Sequence, residues 1–124
     1  MEVLSSRVLL RPTDPARSHA FYRDILGLAI YREFEGGIVF FIGGGFLEVS
    51  GRTDDRAAAG PHVQLWLQVR DLAATEAALE AAGVEILRGR RREPWGLDEM
   101  WIADPDGVRI AVIEVPEDHP LRRR

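Results

Sequence analysis

Helical and alternating patterns of apolar residues divide the chain into two similar halves. A helix is predicted from the N-capping Asp14 to Gly27, and a second from the N-capping Asp71 to Gly83. Each helix follows an alternating run of apolar residues, which is typical of a strand. The capping aspartates are 57 residues apart (71 − 14), and the closing glycines are 56 apart (83 − 27). This spacing predicts two related modules.

Short alternating segments predict three further strands after each helix, separated by glycine turns in the first half and by Asp104-Pro105-Asp106-Gly107 late in the second. The predicted strands are 3–11, 28–34, 38–42 and 46–50, then 63–70, 84–88, 99–103 and 108–115. The order β-α-β-β-β occurs twice, which predicts an α+β fold. We expect one domain, 1–124, with a first module at about 3–51, a linker at about 52–61, a second module at about 62–116 and a tail at 117–124.

Composition narrows the class of protein. The formal charge of −4 argues against nucleic acid as a partner, although a cationic ligand is compatible with it. The absence of cysteine excludes disulfides, thiolate metal sites and cysteine catalysis. No apolar run approaches a membrane span, so a cytoplasmic protein is expected. The arginine clusters at 88–92 and 122–124 are interpreted as a solvated strand end and a frayed tail.

The phrase SHAFYRDILGL at 18–28, the Asp104-Pro105-Asp106-Gly107 turn and the two modules together resemble the vicinal oxygen chelate superfamily. That superfamily includes glyoxalase I, extradiol dioxygenases, fosfomycin-modifying enzymes and bleomycin-resistance proteins. The resemblance implies two tandem modules whose sheet curves around a cavity. In the metal enzymes, His and Glu ligands come from four strand positions, which map here onto Arg7, Glu48, Gln64 and Ala111.

These four residues predict that the metal site has been lost. Glu48 is a good ligand for a divalent cation, whereas arginine carries a fixed positive charge, glutamine is a weak ligand and alanine offers no donor. A slip of two residues would bring His62 to the third position, giving two ligands where about three are needed. The predicted cofactor is therefore none. The alternative is a glyoxalase-like lyase or isomerase, or a dioxygenase, with an atypical metal at Glu48 and His62.

Other side chains suggest a different use for the cavity. Arg7 and Glu48 are expected to pair there, either as a crosspiece between strands or to grip a polar ligand. Trp66 is predicted on the same strand face as Gln64, Trp95 lies in a Pro-Trp-Gly loop, and Trp101 lies in the next strand. Tryptophan suits both core packing and the stacking of planar or cationic ligands.

The Pro-Trp-Gly loop and the strand that carries Trp66 resemble the bleomycin-resistance branch, whose members lack the metal ligands. That resemblance implies a dimer that binds a small organic molecule, such as a cationic aromatic antibiotic. The expected ligand-binding residues are Arg7, Glu48, Gln64, Trp66, Trp95 and Trp101. Uncovered sheet faces and open edge strands also favour a homodimer. A further hypothesis is a cavity filled by the protein's own side chains, with function in the dimer surface.

Overall fold

A computed structural model describes residues 1–51 and 63–123 of the chain. The predicted linker and His62 lie outside the described residues. The chain divides into two compact units, Met1–Gly60 and Pro61–Arg124. Residues 1–51 and 63–123 contain no helix that is long and apolar enough to cross a membrane.

The first unit is a four-stranded mixed sheet with one helical segment. Its elements are β1 (Val8–Leu10), α1 (Pro15–Ala20), a π-helical turn (Phe21–Ile25), β2 (Ile30–Phe34), β3 (Gly37–Ile42) and β4 (Gly45–Ser50). The strand order is β1-β4-β3-β2, with β1 parallel to β4 and the other pairs antiparallel. The first and last strands of the unit are therefore neighbours, with β1 at one edge of the sheet and β2 at the other.

The second unit repeats this topology. Its elements are β5 (Gln64–Gln68), α2 (Leu72–Ala81), β6 (Ile86–Arg92), β7 (Asp98–Ala103), β8 (Arg109–Glu114) and a short 3₁₀ helix (Pro120–Arg123). The strand order is β5-β8-β7-β6, and β5 runs parallel to β8. The predicted α+β class and the repeated β-α-β-β-β order are confirmed.

Both helices begin at the predicted aspartates. The Asp14 carboxylate accepts a hydrogen bond from the Arg17 amide at 3.2 Å, and Asp71 accepts one from the Ala74 amide at 3.0 Å. These bonds satisfy amides that have no partner within the helix. In the second unit, Glu114 Oε1 also accepts from the Leu72 amide at 2.8 Å, which fastens the start of α2 to β8.

Each sheet buries one face beneath its helix. In the first unit that face carries Ile38, Phe40, Leu47 and Val49, and the fully buried Tyr22 ring lies 6.1 Å from the Phe40 ring. In the second unit the face carries Leu65, Met100, Ile102, Ile110 and Val112. We call the opposite side of each sheet its open face.

Several local predictions were wrong. Strand β1 begins at Val8 and not at residue 3, and β6 continues beyond Arg88 to Arg92. His19 of α1 is half-buried, and its Nε2 donates to the Val49 carbonyl at 2.8 Å.

The C-terminal tail is another correction, because part of it forms the short 3₁₀ helix instead of fraying. His119 Nε2 lies 3.2 Å from the Trp95 carbonyl, and the Leu121 amide donates to His119 Nδ1 at 3.2 Å. The histidine thereby connects this helix to the Pro-Trp-Gly loop.

Gly37 of β3 pairs with Phe34 of β2, and the Phe34 ring occupies the space beside its Cα. We predict that Gly37→Ala destabilises the fold. An added Cβ would lie 2.5 Å from Phe34 Cζ and 2.5 Å from Ser50 Cβ. Crowding of this kind costs about 1–3 kcal/mol of unfolding free energy, which urea denaturation would measure. Gly44→Ala is the matched control, because nothing lies within 4 Å of its Cβ position. Equal stability of the two variants would contradict the packing described here.

Candidate functional site

The open face of the first sheet is organised around the Glu48 carboxylate. Arg7 Nη1 donates to Glu48 Oε1 at 2.9 Å, and Ser50 Oγ donates to Glu48 Oε2 at 2.6 Å. Arg11 Nη1 donates to Ser50 Oγ at 2.6 Å and lies 3.7 Å from Glu48 Oε2. The predicted Arg7–Glu48 pair is therefore present, and Arg11 and Ser50 extend it into a network.

This network fixes the charge state of Glu48. The Ser50 hydroxyl bond is the largest influence that lowers the pKa of the Glu48 carboxyl, and Arg7 and Arg11 add to it. Partial burial raises the pKa, but the net direction is downward. Glu48 is consequently a carboxylate at neutral pH, with both oxygens already engaged.

An aromatic cluster lies on the same open face and was missed by the sequence reasoning. Tyr31, Phe41 and Phe46 have ring centroids 4.8 to 5.5 Å apart. Tyr31 is 50% exposed and Phe41 is 41% exposed. Strand alternation could have revealed part of this cluster, because Phe46 lies two residues before Glu48 and faces the same side.

The open face of the second sheet carries two of the predicted tryptophans. Trp66 pairs with Ala111, and Ala111 pairs in turn with Trp101, so the three form a row across β5, β8 and β7. Trp66 is 49% exposed, whereas Trp101 packs partly against the small cluster around Ile113. The row brings together residues 45 positions apart (111 − 66) in the sequence.

Trp95 joins this group through Glu99. Its indole Nε1 donates to Glu99 Oε2 at 2.7 Å, and the Trp101 indole donates to Oε1 at 3.4 Å. Glu99 is buried, whereas Trp95 is 58% exposed. The polar edge of Trp95 is thus fixed while much of its ring faces solvent.

The Trp101 ring differs from those of Trp66 and Trp95 because arginine side chains cover it. The guanidinium carbon of Arg88 lies 3.8 Å from its ring centroid, and that of Arg109 lies 4.8 Å from it. These cation–π contacts occupy ring surface that a ligand would otherwise stack on. Trp66 and Trp95 therefore offer more accessible aromatic surface than Trp101 does.

Arg88 is a structural part of this surface. It donates through Nη2 to the buried Glu93 carboxylate, which also receives a bond from Arg91 Nε at 3.4 Å. Burial raises the pKa of Glu93, but the two arginines outweigh it and the pKa is lowered. The arginine cluster at 88–92 was expected to be a solvated strand end. Two of its members instead form hydrogen bonds with the buried Glu93 carboxylate.

A groove of about 650 Å³ lies elsewhere in the second unit, beside the start of α2. Its arginines are engaged, because Arg90 pairs with Glu76 at 2.9 Å and Arg92 with Asp98 at 2.5 Å. The predicted site tryptophans do not line this groove. It is therefore a weaker candidate than the open sheet faces.

The strand register relates the four positions mapped from the metal enzymes. Leu9, two residues after Arg7, pairs with Glu48. Trp66, two residues after Gln64, pairs with Ala111. Arg7 and Glu48 in one unit thus stand in the same relation as Gln64 and Ala111 in the other. Gln64 is exposed and pairs with Arg109 in the ladder.

The residues at these positions do not fit a divalent metal. Both Glu48 oxygens accept hydrogen bonds, and two guanidinium groups within 4 Å of them would repel a cation. Across residues 1–51 and 63–123, no group of three or more His, Cys, Asp or Glu side chains is placed to hold a metal. His62, the other ligand of the alternative site, lies outside the described residues.

Comparison with known proteins identifies the family. Residues 5–112 match the Glyoxalase/Bleomycin resistance protein/Dioxygenase superfamily, and the chain belongs to it. A comparison with curated proteins gave no match.

Solved structures share the fold over nearly the whole chain. A protein of unknown function from Agrobacterium tumefaciens is 25% identical, with a TM-score of 0.77 over 94% of this chain and 95% of that one. A glyoxalase-related enzyme from Fulvimarina pelagi is 22% identical, with a TM-score of 0.73 over 94% and 90%. A superfamily member from Alicyclobacillus acidocaldarius is 16% identical, with a TM-score of 0.73 over 92% of each chain.

Ser50→Ala should raise the pKa of Glu48 towards 4.5, because it removes the bond that contributes most to lowering it. A depressed carboxyl pKa stabilises the fold above the unfolded pKa, and this stability is lost as pH falls through the folded value. The variant should therefore lose this contribution at neutral pH. Carboxyl ¹³C NMR titration would measure the change, with Glu76 as the internal control because Arg90 lowers its pKa separately. An unchanged Glu48 midpoint would contradict the assigned role of Ser50.

Proposed function

We propose that this protein binds a small organic molecule without a metal, through aromatic surface and nearby polar groups on its open sheet faces. The observation that carries this proposal is the state of Glu48. Its two oxygens are committed to Arg7 and Ser50, with Arg11 alongside, so the residue best able to bind a metal serves another purpose. The same network supplies polar contacts beside exposed aromatic rings.

The second unit supports the proposal independently. Trp66 and Trp95 expose about half of their surface. Exposed indoles are costly to leave in water and are suited to planar ligands. The bond from Trp95 to Glu99 orients the ring before a ligand arrives, which reduces the entropy lost on binding. Gln64 is available as a hydrogen-bonding partner at the edge of this surface.

Sequestration of an antibiotic, as in the bleomycin-resistance branch, is the most specific form of the proposal. The Pro-Trp-Gly loop and the Trp66 strand support it.

A homodimer belongs to the same proposal, because each sheet ends in edge strands and leaves one face without a helix of its own unit. Sedimentation equilibrium would measure the oligomeric state, and a monomer at micromolar concentration would remove the dimer from the proposal.

Trp95→Ala should weaken binding of a planar aromatic ligand by about 1–3 kcal/mol if the ring stacks in the complex. A panel of aromatic antibiotics, screened by quenching of tryptophan fluorescence, would provide the ligand for this measurement. Trp95→Phe is the matched control, because it keeps an aromatic ring but loses the bond to Glu99. If all three proteins bound the chosen antibiotic equally, Trp95 would have no part in the site.

Chelator-treated protein should bind no Ni²⁺, Zn²⁺, Mn²⁺ or anaerobic Fe²⁺ tightly at Glu48, because the arginines disfavour a cation there. Isothermal titration calorimetry measures this directly. One tight ion per chain, lost in both Glu48→Ala and His62→Ala, would overturn the proposal in favour of the metal-dependent alternative. Tight binding that survives Glu48→Ala would indicate a metal site elsewhere and would contradict the exclusion of metal from the function.

A further inference from the structure

Positive charge is concentrated on the open face of the first sheet, although the whole chain has a formal charge of −4. Arg7 and Arg11 flank β1 on the Glu48 side, as their bonds to Glu48 and Ser50 establish. Arg32 pairs with Val39, which pairs with Glu48, so Arg32 belongs to the same face.

Glu48 is the acidic strand residue that faces these three arginines. The acidic residues of β1–β4 are Glu33 and Glu48. Glu33 pairs with Ile38 on the helix side, where it adds a small contribution to the pKa of Arg23, which is raised mainly by the hydrogen bond to Asp24. Among these four residues, the three arginines exceed the single carboxylate of Glu48 by two formal charges (3 − 1).

The arginines also keep donors available. Within the described part of the chain, the hydrogen bonds of Arg7 and Arg11 are donated from Nη1. A guanidinium has five N–H groups in a planar fork that matches a carboxylate. The side chains of Arg7 and Arg11 are 34% and 45% exposed, so their other donors can reach a ligand.

Apolar surface lies directly beside these donors. Phe46 precedes Glu48 by two residues on the same face of β4, and it contacts both Tyr31 and Phe41. Two residues along a strand span roughly 7 Å, so this is the approximate separation between Phe46 and Glu48. Val8 pairs with Leu47 in the parallel ladder of β1 and β4, so Arg7 and Phe46, one residue earlier in each segment, are neighbours.

We propose that this face of the first unit recognises planar aromatic anions, with the ring against Tyr31, Phe41 and Phe46 and the acid group against Arg7 and Arg11. The inference rests on the proposed function and specifies the charge of the ligand. The excess of arginine opposes the cationic ligand that the sequence suggested, since like charges repel in a partly desolvated site. A carboxylate or a sulfonate would provide the same chemistry.

The test uses three ligands that differ mainly in charge, namely 2-naphthoate, 2-naphthamide and 2-naphthylmethylammonium. Calorimetry with the full chain should give the naphthoate an affinity about tenfold or more above that of the amide, as charge-assisted hydrogen bonds to arginine imply. The ammonium compound should bind most weakly. Binding of the amide or the ammonium compound as tight as that of the naphthoate would overturn the inference while leaving the proposed function intact.

Variants locate the effect. Arg11→Met should reduce naphthoate affinity about tenfold and leave amide affinity nearly unchanged. Glu48→Gln should raise naphthoate affinity, because it removes the negative charge beside the arginines. Arg23→Met is the control, because it makes the same charge change at a residue of the π-helical turn that pairs with Asp24.

The outcomes are distinct. Equal losses in Arg11→Met and Arg23→Met would mean that net charge alone attracts the anion, and the inference would fail. Failure of all three naphthyl compounds to bind would also overturn it. The fluorescence screen with Trp95→Ala judges the proposed function separately, because it depends on the second unit.

Discussion

The Glu48 carboxylate determines what the open face of the first sheet can do. A carboxylate on a partly buried sheet face needs either a cation or several hydrogen-bond donors to offset its lost hydration. A metal ion bound to the carboxylate would meet this need. Here Arg7 and Ser50 meet it, and Arg11 holds Ser50 in place. The same groups that stabilise the carboxylate therefore occupy its oxygens and make the face positive.

Each unit holds a glutamate carboxylate on its open face, and the two carboxylates accept hydrogen bonds from different side chains. Glu48 is offset mainly by guanidinium and hydroxyl groups, whereas Glu99 accepts from the indoles of Trp95 and Trp101. Both arrangements set a polar group beside aromatic surface. The repeated topology thus carries two distinct chemical surfaces, which explains why membership of the superfamily does not by itself identify a ligand.

Much of the fold could be predicted because its signals are local. Asp14 and Asp71 reveal helix starts through their own capping bonds, and Gly27 and Gly83 adopt the positive φ that ends a helix. The Asp104-Pro105-Asp106-Gly107 turn is confirmed as well, because Asp104 Oδ1 accepts from the Asp106 and Val108 amides. The extent of β6 was not predicted, because its arginines pair with Glu93 just beyond the strand and with Asp98 on β7, and the pattern of apolar residues does not reveal these pairs.

The sequence by itself determined the repeat, the helix caps and the alternation of the strands, and the resemblance to the superfamily added the pairing of Arg7 with Glu48. Only the tertiary structure decided which side chains share an open face. It joined Tyr31 to Phe41 and Phe46 through a bulge in β2, and it covered Trp101 with Arg88 and Arg109. The physical reason is that periodicity and capping act within a few residues, whereas these contacts depend on the register between strands distant in sequence.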